Sequence, residues 1–234
     1  MYSAGMLSVV IPTLNGGRTL ARTLAALVPG AVDGLVKEVV VADGGSTDDT
    51  LAIADAAGCR TIAAERGRGT QLAAGAAAAC GDWLLFLHAD TVLDEGWEAE
   101  VAAFIATAAM SGDVERAATF RYALDDIRLR ARVLETIVAL RCAAIALPYG
   151  DQGLIISRRF YARIGGFGAM PLMEDVDIVR RIGRGRLTVL RHAAVTSAER
   201  YRREGFARRA LRNLACVTMF YLHVPPKVIL RFYG

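Results

Sequence analysis

The sequence has few cysteines, and nothing in their spacing indicates a shared role. The four cysteines form no Cys-x-x-Cys pair along 234 residues. This scatter argues against a disulfide framework or a zinc site and favours isolated thiols in a reducing compartment. The sequence also lacks any uncharged run of the roughly 18–20 apolar residues that a membrane-spanning helix needs. No basic region followed by an apolar stretch opens the chain, so no signal peptide is expected.

Lysine is scarce, because 26 of the 28 cationic side chains are arginine, and acidic residues are unevenly spread. Residues 1–110 hold 6 basic and 13 acidic side chains, net −7, whereas residues 111–234 hold 22 and 11, net +11. A basic half suits nucleic acid, anionic lipid or a phosphorylated substrate. With 54% hydrophobic and 22% charged residues, the chain is expected to be globular and cytoplasmic, with contact at the inner face of the membrane as an alternative.

Strand and helix patterns alternate along the first 90 residues. Short apolar runs predict strands at 7–12, 36–42, 60–64 and 83–87, and helical spacing predicts helices at 18–28, from a cap at Ser46 to about 57, and at 69–80. This order predicts a parallel sheet with right-handed crossovers. Further on, helices are predicted at 95–108, 127–145, 160–164, 175–184 and 206–222, and strands at 118–124, 154–157 and 187–190.

Two of the predicted strands end in a carboxylate. The apolar run 39–42 is followed by Asp43, and the run 84–87 is followed closely by Asp90. Ligands of open α/β sheets bind just beyond the carboxyl ends of such strands. Two acids placed there could hold the polar edge of a nucleotide and a divalent cation.

Five short segments occur in an order and at a spacing that resemble the family 2 glycosyltransferases, which have the GT-A fold. The segments are 11–15, 41–48, 65–69 and 86–90, and a fifth that consists of 165–167 followed by 173–177. The resemblance covers about residues 6–190, and segments 150–153 and 171–175 resemble a subgroup linked to arsenosugar biosynthesis. It implies an α/β fold with a Rossmann-like, mostly parallel central sheet and flanking helices, to which the predicted C-terminal helix adds an extension.

The resemblance divides the chain into three parts. Residues 1–110 form the nucleotide-sugar-binding half, and residues 111–197 form the acceptor and catalytic half of the same domain. Residues 198–234 are predicted to be a basic, amphipathic, helical tail. Four interpretations of this tail stay open: a helix on an anionic membrane, a lid over the diphosphate, a subunit interface such as that of a homodimer, and plain core packing.

The first group of candidate residues would bind the donor nucleotide. The resemblance implies that Asp43 accepts hydrogen bonds from the base, although an acid before two glycines also caps a turn. Pro12, Thr13 and Asn15 would contact base and ribose, or cap the following helix. Arg66 and Arg68 precede a predicted helix start, where guanidinium groups and free N–H groups suit a diphosphate. A solvated basic loop is the alternative for these arginines.

The second candidate group concerns a metal ion. The family usually has Asp-x-Asp where this chain has 88–90, and its last acid binds Mn²⁺ or Mg²⁺, which bridges the diphosphate. The resemblance therefore assigns the metal to Asp90, with a simple helix or turn cap as the alternative. His88 replaces the usual acid, and it could contact ribose or phosphate, bind the ion more weakly, or pack at the strand end. His192 is a further candidate ligand, with a structural role as its alternative.

The third group would carry out the reaction. The resemblance assigns the general base to Asp175, with Glu174 orienting the acceptor. Two adjacent acids at a helix start also complement the helix dipole. Asp151 and Gln152 would line the acceptor side, or form a simple turn.

Together these residues predict an inverting, metal-assisted glycosyltransferase acting by single displacement. The donor would be a nucleoside-diphosphate sugar and the acceptor a small or lipid-linked molecule, with no nucleic acid as partner. One alternative is a sugar nucleotidyltransferase, which would need a Gly-rich loop with Lys or Arg directly after the first strand, where this chain has 13–15. A non-catalytic nucleotide-sugar-binding protein is the other.

Overall fold

The computed structural model describes residues 6–145, 148, 150–170 and 172–233, and an eight-stranded mixed sheet lies at its centre. The first half contains β1 (Leu7–Thr13), α1 (Gly17–Ala25), α2 (Val28–Val32), β2 (Val36–Asp43), α3 (Thr50–Ala56), β3 (Arg60–Ala63), α4 (Arg68–Ala78) and β4 (Trp83–Phe86). The second half contains β5 (Thr91–Leu93), α5 (Trp97–Ser111), β6 (Ala117–Leu124), α6 (Leu129–Ile145), β7 (Leu154–Ser157), α7 (Arg158–Arg163), α8 (Glu174–Ile182) and β8 (Leu187–Thr196). Helices α9 (Glu199–Glu204), α10 (Phe206–Tyr221) and α11 (Pro226–Tyr233) follow.

The strand order β3-β2-β1-β4-β7-β6-β8-β5 confirms the predicted α/β sheet. Strands β3, β2, β1 and β4 run parallel, as expected from the alternation of strands and helices. Strand β7 is antiparallel to both β4 and β6, β6 is parallel to β8, and β5 pairs antiparallel to β8 at the edge. In the described part of the chain, four of the seven strand pairings are therefore parallel.

The strand register brings the ends of β1, β2 and β4 to one edge of the sheet. Thr13, the last residue of β1, pairs with Asp43, the last residue of β2. Beyond the end of β4, the Leu87 amide donates to the Val10 carbonyl oxygen at 3.0 Å. Because these strands are buried on both faces, their residues read as continuous apolar runs. The polar residues that follow them are consequently collected in one place.

Helices cover both faces of the sheet. On one face, Leu20 of α1 and Trp97 and Ile105 of α5 pack in a core cluster with the buried strands. On the other, α4, α7, α8, α10 and α11 contribute to a second cluster, in which Cys216 and Ile229 of the last two helices are fully buried. A smaller cluster joins α6 to β6. Residues of the predicted tail therefore pack into the body of the fold.

Two local predictions near the start of the chain were wrong. The helix predicted at 18–28 ends at Ala25, and a second helix, α2, begins at Val28 with Pro29 in its first turn, where proline is tolerated. Ser46 does not cap α3, which begins four residues later at Thr50. Instead the Ser46 hydroxyl donates to Asp43 and accepts from the Asn15 amide at 2.8 Å.

Other elements extend or add to the prediction. Strand β8 continues to Thr196, six residues beyond its predicted end, and β5 was not predicted. The predicted helical tail contains α9 and α11 in addition to the helix predicted at 206–222. Among the described helices, none combines the length and the hydrophobicity that crossing a bilayer requires.

We predict that Gly81→Ala destabilises the protein. A Cβ atom at Gly81 would lie 2.5 Å from the Met6 carbonyl oxygen and 2.8 Å from the Ser8 backbone nitrogen. Because backbone atoms cannot move aside as a side chain can, the free energy of unfolding should fall by about 1–3 kcal/mol. Urea denaturation measures the loss. Gly185→Ala, where nothing lies within 4 Å of the added atom, is the control, and equal stability of the two variants would contradict the prediction.

Candidate functional site

Asp43 ties the ends of β1 and β2 together. Its Oδ1 accepts from the Thr13 hydroxyl at 3.1 Å and from the Ser46 hydroxyl, and its Oδ2 accepts from the amides of Gly45 and Ser46 at 2.9 and 2.8 Å. Burial alone would raise the pKa of Asp43, but these hydrogen bonds outweigh it and lower the pKa. The carboxylate is thus ionised and fully engaged in the turn. Base recognition by Asp43 stays a prediction.

Gln71 of α4 makes a second link at this edge. Its Nε2 donates to the carbonyl oxygens of Thr13 and Ala42, at 2.5 and 2.9 Å. This residue was missed from the sequence, where the available signal was one amide side chain among the small residues of an alanine-rich helix. Gln71 fixes the start of α4 beside the strand ends.

A cavity of about 500 Å³ opens at this edge, and we call it the donor cavity. It brings together most of the predicted nucleotide and metal residues: Pro12, Thr13, Asn15, Arg66, Arg68, His88 and Asp90. Asp43 lies directly behind Thr13 and is 5% exposed. Asn15 adopts a left-handed backbone conformation, and its Oδ1 accepts from the Thr47 amide at 2.9 Å. Its side chain thereby fixes the loop that borders the cavity.

His88 lies at the back of this cavity, against the Gly150 loop. A Cβ atom at Gly150 would stand 2.9 Å from His88 Nε2, so only glycine permits this close approach. Burial, together with the nearby charges of Arg68 and Arg200, lowers the pKa of His88 well below its ordinary value. The imidazole is therefore neutral at pH 7, with a nitrogen lone pair available.

A second, smaller cavity of about 110 Å³ adjoins the donor cavity, and we call it the carboxylate cavity. Four acids line it, namely Asp90, Asp151, Glu174 and Asp175, together with the cations Arg68, Arg200 and Arg209. The four acids are the residues that were predicted from the sequence to bind the metal, to contact the acceptor and to act as the general base. Pro171, part of the subgroup resemblance, lies outside the described residues.

The first turn of α8 presents Glu174 and Asp175 to this cavity. Asp175 Oδ2 accepts from the Gly150 amide at 2.7 Å, and its Oδ1 accepts from the Val176 amide at 2.8 Å. Glu174 is buried, with a guanidinium nitrogen of Arg68 at 3.5 Å from its Oε1. Burial and the charge of Asp175 raise the pKa of Glu174, and Arg68 opposes that rise.

Asp151 lines the same cavity. Its Oδ1 is buried and has no hydrogen-bond partner among the described residues. Burial, with a contribution from Asp175 and Asp90, raises the pKa of Asp151 to about 7, although Arg141 acts in the opposite direction. A buried carboxylate oxygen without a protein partner is free to accept a hydrogen bond from a ligand hydroxyl or from water.

Two other candidates lie away from the cavities. Gln152 is buried, and its Nε2 donates to the Phe120 carbonyl oxygen at 3.0 Å. His192 Nδ1 is 2.7 Å from Glu100, and it precedes the cavity-lining Thr196 by four strand residues, or about 13 Å. The structure does not bring these side chains to either cavity.

Arginines of the last helices were not assigned to the site from the sequence. Arg200 lines both cavities, and Arg209 lines the carboxylate cavity, where it donates to Glu204 and to the Tyr233 hydroxyl, each at 2.9 Å. The only signal available was the general excess of arginine after residue 198. Which of these residues face the cavities depends on the packing of α9 and α10.

The residues at the junction of the cavities suit a divalent cation that is shared with a substrate. Asp90 supplies carboxylate oxygen, and His88 supplies a neutral imidazole. No group of three or more acidic, histidine or cysteine side chains arranged for a metal occurs within the described residues. Mg²⁺ is often held by one or two carboxylates plus substrate phosphates, and such an incomplete set fits that mode.

The family described as "Glycosyl transferase family 2" matches residues 8–158. The curated relatives include glucosyl-3-phosphoglycerate synthase of Mycobacterium tuberculosis, 38% identical over 95 residues, or 37% of this chain and 29% of that protein. They also include a PGL/p-HBAD biosynthesis glycosyltransferase of Mycobacterium bovis, 39% identical over 117 residues, or 44% of this chain and 43% of that protein. These matches span less than half the length of either relative.

Solved structures share the fold over most of the chain. The crystal structure of Mycobacterium tuberculosis glucosyl-3-phosphoglycerate synthase with phosphoglyceric acid has a TM-score of 0.58 at 24% identity, covering 91% of this chain and 79% of that one. The complex of the same enzyme with Mn²⁺, uridine diphosphate and glucosyl-3-phosphoglycerate has a TM-score of 0.56 at the same identity and coverage. These structures confirm the predicted GT-A fold. The resemblance to the arsenosugar subgroup stays a prediction.

The pKa of Asp151 predicts a pH-dependent stability. The folded protein binds a proton at Asp151 more tightly than the unfolded chain does, so the free energy of unfolding should fall as the pH rises from about 4 to about 7. Asp151→Asn removes this dependence and should stabilise the protein at pH 8 by on the order of 2–4 kcal/mol, with little effect at pH 4. Urea titrations across this pH range measure the difference. The exposed Asp55→Asn is the control, and parallel profiles for wild type and Asp151→Asn would contradict the assignment.

Proposed function

The chain belongs to glycosyltransferase family 2, and on that premise we propose that it transfers a sugar from a nucleoside-diphosphate sugar to an acceptor hydroxyl, inverting the anomeric carbon. One observation carries this proposal. The donor and carboxylate cavities meet, and Arg68, His88, Asp90 and Arg200 line both. A donor diphosphate on one side would thus present its sugar to the acids on the other.

The donor cavity provides the polar groups that a nucleoside diphosphate requires. Thr13 and Asn15, at the strand ends, would contact base and ribose, with Asp43 behind them. Arg66 and Arg68 stand at the start of α4, where guanidinium groups and free backbone amides both favour phosphate. Arg200, at the junction of the cavities, adds a third cation near the departing diphosphate.

Asp90 and His88 would hold a divalent cation, Mn²⁺ or Mg²⁺. When bound, such an ion offsets the negative charge that develops on the leaving diphosphate. The solved enzyme with the same fold contains Mn²⁺ with uridine diphosphate, and another of its complexes contains Mg²⁺, which supports this assignment.

Asp175 would act as the general base. The Gly150 amide orients its carboxylate, and Asp151, the next residue along the chain, offers an unpaired oxygen to position the acceptor hydroxyl. As the acceptor oxygen bonds to the anomeric carbon, its proton passes to Asp175. The bond from that carbon to the diphosphate breaks, and the electron pair leaves with the nucleoside diphosphate. Glu174 would keep Arg68 between the two cavities.

We predict that Asp175→Asn lowers kcat for sugar transfer, or for hydrolysis of the donor, by about 10²–10⁴-fold, because the amide cannot take up the proton. The KM for the donor should change little. Steady-state kinetics with the purified protein provide the measurement. Asp177→Asn, on the same helix, is the control, because Asp177 pairs with Arg181 instead of facing the cavities. Full turnover by Asp175→Asn would exclude it as the base, and no turnover by the wild type would favour a non-catalytic binding protein.

We also predict that one class of nucleoside-diphosphate sugar stabilises the protein in a metal-dependent manner. UDP-, GDP- and dTDP-sugars are compared by thermal shift with and without Mn²⁺, and a donor at 100 times its Kd should raise Tm by about 5–10 °C. Asp90→Asn should lose the metal-dependent part of the shift, whereas the exposed Asp55→Asn should keep it. A shift that does not respond to Mn²⁺ would rule out Asp90 as a metal ligand.

A further inference from the structure

Helices α6 and α10 leave large apolar side chains on the surface. The exposed fractions are 78% for Leu129 and 57% for Ile137 on α6, and 66% for Leu211 and 58% for Leu214 on α10. Such side chains scattered singly are normal, but these lie on two neighbouring helices and face one groove or its rim.

The groove between the two helices has an outer and an inner part. The outer part, about 680 Å³, is lined mainly by Leu129, Val133, Ile137, Phe206, Ala207 and Ala210. The inner part, about 250 Å³, shares Leu134, Ile137 and Ala210 with it and continues past Val138 and Leu214. The two parts therefore form one apolar channel, which we call the α6–α10 groove.

The inner end of the α6–α10 groove reaches the carboxylate cavity. Asp151, Tyr201 and Asn213 line both spaces. A molecule whose head lies against Asp151 could thus extend directly into the groove. The volumes of the successive spaces fall from about 680 to about 250 and then 110 Å³, which suits a linear hydrocarbon chain better than a folded protein partner.

The charge around the groove is strongly positive. Residues 128–141 and 199–233 together hold 12 basic and 3 acidic side chains, net +9. Arg128 and Arg130 line the outer part, and the Arg130 guanidinium lies 4.7 Å from the Phe206 ring centroid. Arginines beside an apolar surface are complementary to an anionic lipid surface, where the cations meet phosphate and the apolar groups meet acyl chains.

We propose that the α6–α10 groove holds the apolar chain of a lipid-borne acceptor. The head carrying the acceptor hydroxyl would lie at Asp151 and Asp175, and the chain would run outward between α6 and α10 toward an anionic bilayer. The role of the head rests on the proposed function, while the binding of the chain can be measured independently of catalysis.

The test uses n-alkyl phosphates of four, six, eight and ten carbons, below their micellar concentrations, with inorganic phosphate as the reference. Isothermal titration calorimetry should show affinity rising about two- to fourfold per added methylene, because each buried methylene adds a similar increment. Ile137→Glu and Leu211→Glu, both at exposed positions, should abolish this dependence on chain length. Met110→Glu, at a more exposed apolar residue on α5, should preserve it.

Each outcome bears directly on the groove. If the affinity of the wild-type protein does not depend on the chain length of the alkyl phosphate, the proposal is overturned. This result does not depend on whether any variant folds. A second result would also overturn it. If sedimentation equilibrium shows a dimer that Ile137→Glu converts to a monomer, and affinity does not depend on chain length, the groove joins two copies of the chain. Donor-dependent thermal shift on the wild-type protein separates the two proposals. A donor shift without chain binding refutes only the groove, and chain binding without a donor shift refutes only the transferase.

Discussion

The alignment of β1, β2 and β4 at one edge of the sheet is the constraint on which the site depends. The edge must satisfy its buried polar groups, since an unpaired carbonyl or carboxylate there would be costly. Asp43 and Gln71 do so from inside the protein, joining two strand ends and the first turns of α4. Arg68 begins that same helix. The hydrogen bonds that stabilise the edge therefore also set the position of a guanidinium group at the junction of the two cavities.

The acids that line the carboxylate cavity are in positions that reduce the stability of the folded protein. Like charges and burial both disfavour the ionised acids, and the pKa values of Asp151 and Glu174 rise accordingly. The arginines compensate only in part, since Arg68 stands at 3.5 Å from Glu174 instead of forming a close pair. Residues held in this way are typical of sites that recognise or transform a ligand.

Much of this arrangement could be predicted from the sequence, and the reasons differ by residue. Asp43 and Asp90 follow apolar runs, and such runs define strand ends without knowledge of the tertiary structure. The local sequence around Ser46 is compatible with a helix cap and with a turn. In the structure its hydroxyl bonds to Asp43 and Asn15 instead of capping a helix. Gln152 was misplaced because a turn sequence does not reveal that its side chain points into the core. The position of Arg200 beside both cavities depends on how the last helices pack, and the spacing of residues in the sequence does not indicate that packing.

The position of Arg68 has one more consequence, which follows from thermodynamic linkage. This guanidinium borders both cavities and lowers the proton affinity of Glu174. An anion in the donor cavity that draws the Arg68 guanidinium away from Glu174 must therefore increase the proton affinity of Glu174. By reciprocity, protonation of Glu174 leaves the guanidinium free to move toward the anion. Proton uptake at Glu174 and anion binding in the donor cavity are thus parts of a single coupled equilibrium.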